Sequence, residues 1–406
     1  MEPVREERRL ISEEVSVRKS TVYGHQTYPK MSVHRGHVAP QIPPPATGTE
    51  HFLPRSALDP TQTPPPFSGA FTFVSTNLGV INALRRAAMA RVPTAAFAED
   101  GVRVMENSSV MHNEMLAHRV SLVPLCLSPN ELENFDPRDY TCTLKVGNSS
   151  GAAEVVDVTS LDFTTTDLTG ASFDADRQRR LFPACTYSGQ GILLTALRPN
   201  VACVGSGEAV KVVAVPSIGT GRDHARWSPV STCYFRSDDN GGANTHFFIE
   251  SVNPNLSPYY IVFLAFRALV RDIIELAADV RDDRVKFEPD AAAPERRFVA
   301  ILPGRDHTIG NLVQSLLYSL WIEKQGKESV CYVGYFKRHP LIDDITFKMQ
   351  LSESASAPDS KEVFLSGIEV VREHLEGLAR EWVKFAGLAD RGLVAVDGFL
   401  RQAAPK

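Results

Sequence analysis

At 406 residues, with 22% charged residues, 43% hydrophobic residues and a formal net charge of −5, the chain is long enough for two or three domains with their own cores. The acidic balance argues against a direct nucleic-acid-binding role. No apolar run reaches membrane-spanning length, and the opening MEPVREERRLISEE mixes charges where a leader would place an apolar stretch, so a soluble intracellular protein is expected.

Residues 1–66 carry charge clusters and the proline runs Pro43 to Pro45 and Pro64 to Pro66, with few periodic apolar positions. Such a segment buries too little apolar surface to offset its ordering entropy, which predicts a disordered or loosely docked extension. From Phe67 the string GAFTFVST reads as a strand, and a helix over Leu78 to Ala90 follows, capped by Thr76 or Asn77. It breaks at Val92-Pro93, because a residue before proline is pushed out of the helical region. The stretch Cys126 to Ser228 is rich in Thr, Val, Gly and Asp, with strands predicted at Tyr140 to Val146, Ala153 to Val158, Ile192 to Leu197 and Val210 to Val215.

HFFIESV is a further strand, and Pro258 to Ala278 a helix with the apolar stripe Ile261, Leu264, Ala268, Leu269, Ile273 and Leu276. Residues 283–294 read as an acidic, alanine-rich linker. The order then becomes strand (Arg297 to Leu302), helix, strand (Ser329 to Tyr335), strand (Ile345 to Leu351) and a long helix from Lys361 to Phe385. The first of these helices opens at Asp306 or Thr308 and carries Ile309, Leu312, Val313, Leu316, Leu317 and Leu320 on one face. The last carries Phe364, Ile368, Val371, Leu375, Leu378 and Trp382. Residues 389–406 form a tail. A stripe this regular needs a partner surface, and the stripe over Ile261 to Leu276 offers one.

Catalytic and metal chemistry find little support. Six cysteines stand singly, without the short paired spacing that presents two thiolates to zinc. In His112-Asn113-Glu114-Met115-Leu116-Ala117-His118 the histidines are six apart, off the spacing of a zinc helix. His224, with Asp223 beside it and Ser231 nearby, lacks a nucleophile elbow, and Gly219 with Gly221 do not make a phosphate loop. The glycines instead predict a turn presenting Arg222, His224, Arg226 and Trp227 at the surface, residue types that dominate interfaces. Arg85 and Arg86 are adjacent on a helix, so at most one lies fully on its core face. No catalytic residue, metal or cofactor is expected.

Three ordered strings stand out: TNLGVINALRR followed by VMENSSVMHNEMLAHRVSLVPL, then GTGRDHARWSPVSTCYF, then DHTIGNLVQSLLY with VGYFKRHPLIDDITFKMQ. The first two resemble the larger assembly subunit of cellular RNA polymerase (third-largest polymerase II subunit, archaeal D, bacterial α N-terminal domain), and the third its small partner, the eleventh polymerase II subunit or archaeal L. Together they resemble the fused assembly subunit of large eukaryotic DNA viruses, which would place the protein in a virion, viral factory or host nucleus. The resemblance implies an α+β fold in which two α-subunit-like dimerisation half-folds form an intramolecular pseudo-dimer. The first half would comprise residues 67–125 and 229–282 around a mostly β insert at 126–228, and the second residues 295–388.

The implied function is a noncatalytic platform that nucleates binding of the second-largest and then the largest polymerase subunit, alongside other small subunits, with DNA met only through the complex. By the same resemblance Arg85, Arg86, Arg119, Arg222, His224, Arg226 and Trp227 would serve subunit contacts. Ile261, Leu264, Leu269, Ile273, Leu276, Leu312, Leu316, Phe364, Ile368, Leu375, Leu378 and Trp382 would pack the pseudo-dimer. Many larger-subunit relatives carry a cysteine or iron–sulfur cluster in the insert, and this sequence departs from them there. The alternative is a promoter-contacting transcription factor built on the same fold.

Overall fold

The computed structural model describes residues 52–54, 67–148, 154–186, 188–200, 207–237, 244–291, 293–323, 330–352 and 359–389. In chain order, β1 (Phe52–Pro54), β2 (Ser68–Val74) and α1 (Leu78–Ala90) come first. Then follow β3 (Pro93–Asn107), α2 (Asn113–Ser121), α3 (Pro129–Glu133), β4 (Thr141–Gly147), β5 (Val156–Thr159), β6 (Phe163–Thr166), α4 (Ala175–Leu181), β7 (Leu193–Leu197) and β8 (Ala209–Thr220). After them come β9 (Val230–Ser237), β10 (Asn244–Ser251) and α5 (Pro258–Arg281). The chain continues with β11 (Lys286–Pro289), β12 (Arg297–Pro303), α6 (His307–Leu317), β13 (Val330–Phe336), β14 (Asp344–Leu351) and α7 (Ser360–Phe385).

Two antiparallel sheets share one plan: β1-β2-β10-β9 and β11-β12-β14-β13. Each is followed through the same order of elements, two strands, a helix, two strands and a long helix. The likeness extends to the turns. Two residues before each cap the backbone enters the left-handed region, at Ser75 (φ 49°) and Gly304 (φ 66°). The caps are Asn77, whose Oδ1 accepts from Gly79 N at 2.8 Å, and Asp306, whose Oδ1 accepts from Thr308 N at 2.9 Å. One continuous hydrophobic core joins the two sheets and α1, α5, α6 and α7. All of the residues expected to pack the two halves together are buried in it, from Ile261 through Trp382. Beyond Leu317, α6 widens into a π-helical segment, Tyr318–Glu323, that tucks Trp321 inside.

Three boundaries differ from expectation. The β-rich stretch expected at 126–228 shares its sheet, β3-β8-β4-β6, with residues from Pro93 onward, and α2 packs on β3, so Phe97, Leu116 and Val120 share a second core with Cys142, Leu144, Phe163 and Val212. β3 lacks a strand's alternation in the sequence because its pairing with β8 jumps between Phe97 and Val102. The bulge needs Gly101, where a Cβ would fall 2.5 Å from Val215 O. The segment 283–294 is not merely a linker, since β11 pairs antiparallel with β12 through Phe287 and Ala300. Within 1–66, Phe52–Pro54 is docked as a strand on β2, with Leu53 opposite Thr72. The rest of 1–66, and all of the tail beyond Ala389, lie outside the described residues.

Candidate subunit interface

The structure brings together the two segments that sequence alone kept far apart. Arg222 N donates to Ala90 O at 3.1 Å, so the β8–β9 turn closes against the end of α1. This close approach explains Gly221, since a Cβ there would fall 2.0 Å from Met89 O. Gly219 is needed for a different reason: the Trp227 ring lies over it, with the nearest ring atom 2.4 Å from where a Cβ would sit.

The turn does not present its residues as expected. Arg226 points inward with a side chain only 4% exposed, donating to Phe97 O at 3.0 Å and Glu99 Oε1 at 2.7 Å. Trp227 Nε1 donates to Ser217 O at 3.2 Å, and the Arg226 guanidinium sits 5.6 Å from its ring centroid. His224 Nδ1 accepts from both Arg226 N and Arg226 Nε at 3.1 Å, so the imidazole caps the short 3-10 turn Ala225–Trp227. Asp223 accepts from the Thr220 hydroxyl and backbone N–H, and these bonds hold its carboxyl below the ordinary range. Arg226, Trp227, His224 and Asp223 therefore build the turn, and Arg222 is its exposed cation.

On α1 the outward stripe is Leu78, Asn82, Arg85 and Met89, spaced by four, three and four residues. Leu78 and Met89 are exposed, and Arg85 is half-buried, reaching Asn82 Oδ1 at 3.2 Å and Met89 Sδ at 3.5 Å. With Arg222 beside Ala90 this makes a basic-apolar surface along one side of the first sheet's helix. Leu78 and Met89 were not singled out from the sequence. Their signal was present, as two large apolar residues off the stripe that buries Val80, Ile81, Leu84, Ala87 and Ala88. Arg119 lies apart from this surface: it ties α2 to β7, donating to Leu193 O at 2.6 Å.

Arg86 is more exposed than Arg85, yet it makes a contact within the chain. Its Nε donates to Thr308 Oγ1 at 2.7 Å, across to α6. The converse contact also exists, since Asn77 Nδ2 donates to Ser315 O at 3.1 Å and a Cβ on Gly79 would meet Ser315 Oγ at 2.5 Å. Nearby, Arg91 was missed altogether. It is ion-paired with Asp272 of α5 and, at 2.7 Å, with the cap Asp306. Arg305 adds Asp279 at 2.5 Å and Glu275 at 3.6 Å. Burial raises the Asp272 carboxyl and Arg91 opposes without winning. At Asp306 burial also pushes upward, but Arg91 and the Thr308 and Ile309 N–H donors outweigh it and leave the carboxyl low. The sequence clue was Asp272, an aspartate set among the apolar stripe positions Ala268, Leu269, Ile273 and Leu276 of α5.

His118 is exposed on α2, and His112 precedes that helix without capping it by its side chain. Cys126, Cys142 and Cys233 are buried, and desolvation pushes each thiol up to about 12. Cys185 and Cys331 are exposed, and Cys203 lies outside the described residues. Among the described residues no cluster of three or more His, Cys, Asp or Glu could hold a metal ion, and no helix is long and apolar enough to cross a membrane.

Residues 70–375 match the family described as the RNA polymerase Rpb3/Rpb11 dimerisation domain. The chain is 31% identical over 176 residues to the DNA-directed RNA polymerases II, IV and V subunit 3 of Arabidopsis thaliana, covering 41% of this chain and 52% of that protein. It is 24% identical over 324 residues to the RNA polymerases IV and V subunit 3B of the same plant, covering 76% and 86%. It is 28% identical over 162 residues to the polymerase subunit Rpo3 of Methanothermobacter thermautotrophicus, covering 38% and 52%. In the first and third of these the match spans about half of the relative's length. With the matched region running from β2 into α7, the chain belongs to the RNA polymerase Rpb3/Rpb11 dimerisation domain family.

Proposed function

We propose that this chain is a noncatalytic assembly subunit of a multisubunit DNA-dependent RNA polymerase, in which a larger-subunit-like half and a small-partner-like half pair inside one polypeptide. The observation that carries the reading is reciprocity between α1 and α6. Counted from the caps Asn77 and Asp306, Gly79 and Thr308 are each the second residue on, and Arg86 and Ser315 each the ninth. Arg86 meets Thr308, and Ser315 meets Gly79. Contacts in which i meets j and j meets i are the mark of two-fold pairing. The repeated sheet order supports the same reading.

In this account the α1 stripe and Arg222 receive the second-largest subunit, and the largest joins afterwards. The first half keeps Arg85 where the second has Gln314, so the two sides of the pair are not equivalent. A protease site placed at Asp282–Arg284, the exposed turn between α5 and β11, and cleaved in the folded protein tests the pairing. The two fragments should continue to elute together from a sizing column; elution as two separate monomers would overturn it.

A further inference from the structure

The seam between the halves is symmetric in backbone and asymmetric in charge. We infer that Arg91, Arg305 and Asp306 form an ionic lock that makes unlike halves pair and keeps like halves apart, so that a chain closes on itself instead of joining a second copy. This rests on the pairing proposed above.

The argument is positional. Arg91 is the fourteenth residue after the cap Asn77, and the fourteenth after Asp306 is Leu320. The residue before each cap is Thr76 in the first half and Arg305 in the second. In the pair as it stands, Arg91 of the first half reaches the cap Asp306 of the second. Arg305 of the second half reaches Asp279 and Glu275 on α5 of the first. Two first halves paired the same way would set Arg91 against Asn77 and Thr76 where Arg305 had been, losing the bridges that Arg91 and Arg305 make across the seam. Two second halves would set Leu320 against Asp306, leaving a half-buried carboxylate facing an apolar side chain. Removing the partner of a buried charge is costly, which makes each like pair worse without improving the unlike one.

The test uses the full chain with a cleavable site at Asp282–Arg284, ahead of β11, followed by native mass spectrometry of the cleaved protein after incubation long enough for fragments to exchange. The fragments differ in mass, so like and unlike pairs are resolved. Arg91→Leu, Asp306→Asn and Arg305→Thr give each half the other half's residue, and Asp272→Asn prevents an orphaned carboxylate. The cleaved wild type should hold unlike pairs only, and the fourfold variant should show like pairs at about a tenth of the population or more. If that variant loses its melting transition, Asp306→Asn alone decides, because asparagine still caps the helix while the bridge is gone. It should weaken the unlike pair about tenfold. Only unlike pairs in the fourfold variant, or unchanged affinity in Asp306→Asn, overturns the lock while leaving the pairing intact. Separate monomers from the cleaved wild type overturn the pairing itself.

Discussion

Trp382→Ala should cost the folded protein about 4 kcal/mol, within the range for emptying a large buried aromatic site. Trp382 is fully buried near the end of α7, with its ring centroid 4.6 Å from Phe71 of β2, 5.8 Å from Tyr259 of α5 and 5.3 Å from Phe385. Its Nε1 donates to Tyr259 O at 2.9 Å, so truncation leaves a void and removes a buried hydrogen bond together. The ring belongs to the second half and most of its neighbours to the first, so the loss falls on the seam. Denaturant midpoints measure it. Trp382→Phe should recover most of the deficit, leaving about 1 kcal/mol for the lost hydrogen bond. A change below about 1 kcal/mol for Trp382→Ala would mean that the seam is not held there.

The helices of this seam were legible in the sequence because their caps and their three- and four-residue apolar steps are local properties. Leu78–Ala90 and the stripes on α5, α6 and α7 follow from them directly. The edge strands were not legible. FLP and KFEP are short, and each contains proline; they become strands only because β2 and β12 offer unpaired edges. The interface was half legible. Arginine and tryptophan in GTGRDHARWSP pointed to a surface, but which arginine faces solvent depends on Phe97 and Glu99, more than a hundred residues earlier in the chain. The same holds for Arg91, whose partners lie on two helices that the sequence does not place beside it.

The second large effect concerns binding. Arg85→Glu combined with Arg222→Glu should leave the melting transition nearly unchanged, because neither guanidinium fills the core. Affinity for the second-largest polymerase subunit should fall at least about thirtyfold, the equivalent of about 2 kcal/mol for losing an interface hot spot. Changing Arg86 and Trp227 would be a poorer test, since Arg86 bonds Thr308 across the proposed seam and Trp227 packs on Gly219 within the turn. Wild-type affinity in a competition pull-down, with folding intact, would remove the α1 stripe from the interface.

The subunit composition of the complex built on this chain tests the account most directly. The tagged full-length chain, purified from its own cells and resolved by mass spectrometry, should bring with it the largest and second-largest polymerase subunits in equal stoichiometry. No separate small dimerisation partner should accompany them, because on the proposed pairing the elements from β11 to α7 supply that half. A stoichiometric small Rpb11-like subunit in the same complex, or the absence of both large subunits, would contradict it.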